Sequence, residues 1–102
     1  SALPASADRS YYYYLLGRAL AGQGKMDEAI HSLELSHQND PMYLHPLFEL
    51  TRIYINLHTI DKAEKTLAQL RVANEGNLHP QDREIRLLAD AVAALKNKPV
   101  PH

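Results

Sequence analysis

Apolar residues along this chain recur three and four positions apart rather than alternately, the spacing of helices that bury one face. In "DEAIHSLELSHQ" the positions Ala29, Ile30, Leu33 and Ser36 share a side. In "PQDREIRLLADAVAALKN" the stripe is Ile85, Leu88, Val92 and Leu95. Asp82 and Glu84 stand near the start of that segment and Lys96 and Lys98 near its end, where the helix dipole favours each sign. The first helix is expected from about Asp8 to Ala21, capped by Asp8 or Ser6 and stopped by "GQGK". The second begins at Asp27 and breaks at "NDP", because Pro41 disfavours helical geometry at Asp40. A third runs from about His45 to Leu57 and tolerates Pro46 in its first turn. After the turn "HTID", Asp61 caps a fourth helix that reaches about Asn74. "EGNLH" is the longest connector, and Pro80 opens a fifth helix. The pattern predicts five helices and no strand, an all-α fold.

One stretch does not fit a single buried face. "SYYYYLLGRAL", residues 10–20, sets four tyrosines side by side. Four consecutive helical residues fan over about 300°, so no one neighbour can bury them all. Comparing the chain with itself resolves the run. A shift of about 34 residues places Tyr13 on Leu47, Leu16 on Leu50, Leu20 on Tyr54, Ala29 on Ala63 and Leu33 on Leu67. Each pair stands at the same point of a helix, turn, helix unit. Tyr13-x2-Leu16-Gly17-x2-Leu20, Ala29-x3-Leu33 and Pro41, with the turn "GQGKMDEAI", resemble the signature of the tetratricopeptide repeat. A small residue at Gly17, and Ala29 facing it, allow two helices to approach closely.

The resemblance covers roughly residues 10–77 and is weaker in the second unit. There Thr51 replaces the glycine, His58 stands where the turn glycine Gly24 stood, and Glu75 replaces the closing proline. It implies a right-handed array of about five helices. Repeat one occupies about 10–43, repeat two about 44–77, and a capping helix about 80–97, with boundary segments at 1–7 and 98–102. It also implies a non-catalytic protein–protein interaction module whose leading helices line a concave face for a peptide or partner helix. Tyr13 would fill the aromatic slot inside its own hairpin, and Tyr12 would face an upstream helix or water. Tyr11, Tyr14 and Arg18 would line the groove with His45, Phe48, Glu49 and Arg52, as exposed aromatics beside arginine of the kind found at binding hot spots. Tyr14 and Glu49 occupy places where the carboxylate clamp of chaperone-binding relatives needs a base and an amide, so an acidic chaperone tail is not the expected ligand. The alternative reading is an architectural or self-association domain of a larger enzyme, regulator or secretion component.

Composition narrows the chemistry. Eleven Lys and Arg against twelve Asp and Glu give a net charge of -1, which argues against a nucleic-acid groove. No apolar run approaches the roughly 18 residues of a membrane span, so direct membrane insertion is not expected. With no cysteine there is neither a disulfide framework nor a thiolate site, and no compartment is selected. Six histidines invite a metal reading. Glu34-x-x-His37 has the spacing used in di-iron bundles but lacks a second copy, and His45 with Glu49 lacks a third ligand. His31, His58 and His79 lie near helix surfaces or turns. No Gly-x-Ser-x-Gly elbow and no phosphate-binding glycine loop is present, so neither catalysis nor a cofactor is expected. "DKAEK" and "QDREIR" read as solvated charged faces.

Overall fold

The computed structural model describes residues 5–76 and 81–97, with side chains from Asp8 onward. Five helices follow one another: α1 (Ala5–Gly22), α2 (Met26–Asn39), α3 (Leu44–Asn56), α4 (Ile60–Glu75) and α5 (Asp82–Asn97). No strand occurs among the described residues. α1 pairs with α2 and α3 with α4, while α2 against α3 and α4 against α5 join the hairpins into an array. The result is elongated, 57 × 31 × 17 Å.

The two turns are copies of each other in atomic detail. Lys25 N–H donates to the Leu20 carbonyl at 3.0 Å, and Thr59 N–H to Tyr54 at 2.8 Å. Gly24 N–H reaches Ala21 and His58 N–H reaches Ile55, both at 3.0 Å. Gly24 sits at φ 81° and His58 at φ 57°, so both turns need the left-handed conformation. The second unit keeps the turn although it lacks the glycine.

The first hairpin closes where a side chain is missing. A Cβ at Gly17 would stand 2.7 Å from Leu33 Cγ and 3.3 Å from the Ala29 carbonyl oxygen. Ser10 and Ser36, both buried, clasp α1 to α2: the Ser36 hydroxyl donates to the Ser10 carbonyl at 2.6 Å, and the Ser10 hydroxyl to the Ser36 carbonyl at 2.9 Å. The second hairpin uses hydroxyls where the first uses glycine. Buried Thr51 lies 2.9 Å from the Thr66 hydroxyl and 2.7 Å from the Leu47 carbonyl, either of which can accept its proton.

Caps differ from expectation. α1 begins at Ala5, so Ser6 and Asp8 lie inside its first turn instead of capping it. Thr59 is the N-cap of α4 and Asp61 belongs to that helix's first turn, where its charge favours the dipole without a capping bond. α2 ends at Asn39 with Asp40 extended, as Pro41 requires. The Pro80 start of the fifth helix lies outside the described residues. Its apolar stripe is buried at Ile85, Leu88 and Val92. Ile85-x2-Leu88-Ala89-x2-Val92 also repeats the spacing of Tyr13-x2-Leu16-Gly17-x2-Leu20, so α5 follows the pattern of a leading helix. α5 rests on α4 and touches α3.

Candidate functional site

α1, α3 and the start of α5 surround a surface depression of about 260 Å³ lined by Tyr14, Arg18, His45, Phe48, Glu49, Arg52, Gln81 and Glu84. Helical spacing puts Tyr14 and Arg18 one turn apart on α1, and His45, Phe48, Glu49 and Arg52 on one flank of α3. Six of the seven residues anticipated for binding therefore meet at one place. Tyr11 is not in the lining, although it lies close enough to influence Tyr43.

The aromatic rings are not the exposed anchors expected. Tyr14 is only 9% exposed and Phe48 4%. Tyr14 stacks on His45 at 5.4 Å between centroids and meets Tyr43 edge-on at 5.6 Å, while Tyr43 and His45 are perpendicular at 5.2 Å. The reason is register on α1. Ser10, Tyr14, Gly17 and Ala21 lie on the side turned toward α2, and the α2–α3 connector brings Tyr43 and His45 over the ring. Tyr13, assigned to the interior from the repeat signature, is half-buried instead. Tyr12 faces water and meets Tyr13 edge-on at 5.3 Å.

Charge covers the aromatic floor. The Arg18 guanidinium stands 5.6 Å from the Tyr14 ring centre, and that of Arg52 5.6 Å from Phe48. Arg52 also pairs with Glu49 at 3.2 Å. Among the described residues Arg18 has no acidic partner. Its guanidinium is thus held by a ring and keeps its hydrogen-bond donors available, the arrangement that lets arginine grip a carboxylate or amide. Burial first, then the neighbouring Tyr14, Tyr11 and Asp40, push the Tyr43 hydroxyl above its ordinary range. It stays neutral at ordinary pH, with its ring against Tyr14 and His45 rather than in the lining of the depression.

Tyr43, Gln81 and Glu84 escaped the sequence reading. Tyr43 belongs to the connector, where the repeat comparison carries no structural equivalent. Gln81 and Glu84 read as part of a solvated charge run, and only the packing of α5 on α4 carries them to the depression.

Two further hollows lie among the described residues. One of about 320 Å³ separates α2 from α4 on the opposite side, floored by Leu50 and Tyr54 and flanked by Glu34, His37, Lys62 and Lys65. Burial and the Glu34 carboxylate push the Tyr54 hydroxyl up, and Lys62 lies 5.8 Å over its ring. The other lies between α4 and α5 around Asn74 and Asp82. No group of three or more His, Asp or Glu that could hold a metal ion occurs among the described residues, and no helix there is long and apolar enough to cross a membrane.

Compared with known proteins, residues 20–78 match a family model described as tetratricopeptide repeat. No curated protein and no solved structure matches the chain.

Proposed function

Since the chain belongs to the tetratricopeptide repeat family, whose members are in general protein–protein interaction modules and typically non-catalytic, we propose that its depression between α1, α3 and α5 receives a peptide or helix of another protein. One observation carries the reading: two successive leading helices and the start of α5 converge on a single hollow with an aromatic floor and an arginine rim. The division of labour follows from burial. Buried Tyr14 and Phe48 form the base that holds the arginines, exposed His45 stacks on Tyr14, and Arg18, Glu49, Arg52 and Glu84 present the charges that orient the incoming chain. Arg18 and Arg52 offer donors to a ligand, and Glu49 and Glu84 offer acceptors, so the ligand that fits carries both signs rather than a long acidic run.

Burial also decides which variants test the reading. Truncating Tyr14 or Phe48 removes core as well as site, whereas Arg18 and Arg52 are solvent-exposed. A displayed library of random peptides would be selected on the parent chain, and the enriched peptides titrated against the Arg18→Glu/Arg52→Glu variant. The expected result is a loss of affinity of at least about tenfold with unchanged helicity. Peptides that bind the variant as tightly as the parent, or no enrichment at all, would overturn the site.

A further inference from the structure

α1 lacks a single apolar face, unlike the other helices: its tyrosines and leucines are spread around the axis, among them exposed Tyr11, Tyr12 and Leu15. Its inner side packs on α2 and one flank reaches α3. The opposite side carries Asp8, Tyr12, Leu15 and Ala19, spaced four, three and four residues apart, the stagger of a seam between two helices. All four are exposed, Tyr12 by 59% and Leu15 by 43%. Among the described residues nothing covers this seam. Tyr14 and Arg18 lie off the seam, so it is separate from the depression proposed for a peptide.

We propose that this seam is the contact surface of a homodimer, with two copies of α1 lying antiparallel about a two-fold axis near Leu15. The occupant is argued from self-complementarity, which a two-fold contact demands of one and the same face. The seam is bulky in its first half, at Tyr12, and small in its second, at Ala19 and Gly22. An antiparallel register centred between Leu15 and Leu16 sets Tyr12 of each copy against Ala19 of the other, so large meets small twice. The same register carries Asp8 of each copy toward the turn of the other that holds Gln23 and exposed Lys25. A parallel pairing would set tyrosine on tyrosine and acid on acid. One helix face is well short of the roughly 800 Å² per partner of a standard interface, so the dimer is weak and dissociates on dilution.

Sedimentation velocity on the unmodified chain, from about 1 µM to about 1 mM, is expected to show mass rising from monomer toward dimer. Leu15→Glu should weaken the dimer at least about tenfold while circular dichroism stays unchanged. Asp8→Lys should also weaken it, and Asp8→Lys with Lys25→Asp should restore it. Because the chain has no cysteine, a single Leu15→Cys variant should give a disulfide-linked dimer on mild oxidation. Leu87→Cys, at an exposed apolar position on α5, should not. A strict monomer across the range, a dimer indifferent to Leu15→Glu, or crosslinking at Leu87→Cys as efficient as at Leu15→Cys would each overturn the proposal.

Discussion

Gly17 is where a single atom governs a helix pair. Leu33, the side chain a Cβ there would strike, is fully buried and has no room to move aside. Gly17→Ala is therefore expected to destabilise the fold by about 1–3 kcal/mol, despite alanine's better helix propensity, and urea denaturation would measure it. An unchanged or raised midpoint would mean that α1 and α2 separate without cost. His37 offers a second test. Its Nδ1 is buried with no hydrogen-bond partner among the described residues, and burial lowers its pKa against the weaker opposing pull of Asp40. A proton therefore binds the unfolded chain before it binds the folded one. Stability from this group is complete above the ordinary imidazole value near 6.5 and falls as pH drops below it toward the lowered folded value. The urea midpoint should decline from pH 7.5 to pH 5.5, and His37→Gln should flatten part of that slope. Parallel pH profiles for parent and variant would remove His37 as the cause.

Among the elements, α5 is attached differently from the rest. Buried Asn74, at the end of α4, accepts from the Gln81 N–H at 2.8 Å and donates to the Asp82 carboxylate at 2.7 Å. One amide thus ties the end of one helix to the start of the next and supports the segment that delivers Gln81 and Glu84 to the depression. Asn74→Ala should cost about 1–3 kcal/mol, and amide exchange should quicken first at the start of α5. The surface pair Lys96–Glu64, both half-exposed at 3.1 Å, is a poor substitute for that tie, because exposed ion pairs contribute about 0–1 kcal/mol. If exchange at α5 were unaffected in the variant, the apolar stripe alone would be holding the helix.

Across the whole molecule, each hairpin touches mainly its neighbours, so stability is a sum of local pairings and interfaces. Ile85 is buried in the stripe of α5, the helix that packs on α4 and α3 and not on α1. Ile85→Ala is expected to cost about 2–5 kcal/mol and to release amide protection in α5 and α4 more than in α1 and α2. Uniform loss along the chain would show one cooperative block instead of an array. The same linear construction explains the candidate site, which belongs to no single hairpin. It exists because leading helices stand side by side, and it would vanish if one hairpin were rotated.

Helix number, the two turns and the buried faces were set by local rules that the residues carry themselves. Spacing of three and four names a helix face, Pro41 ends α2, and the 34-residue echo places Tyr54 on Leu20 and His58 on Gly24. Helix starts were less legible, since α2, α3 and α4 begin without a side-chain capping bond and so leave no capping residue to find. Which tyrosine is buried was decided only by packing. Residues 11–14 are chemically identical, and their fates differ because α2, Tyr43 and His45 stand on one side of α1 while nothing described stands on the other. The contribution of α5 to the depression was likewise hidden, because it depends on the distance between elements joined by a connector without repeat spacing. Periodicity along a chain records which way a side chain faces; what waits there is fixed by the arrangement of helices in three dimensions.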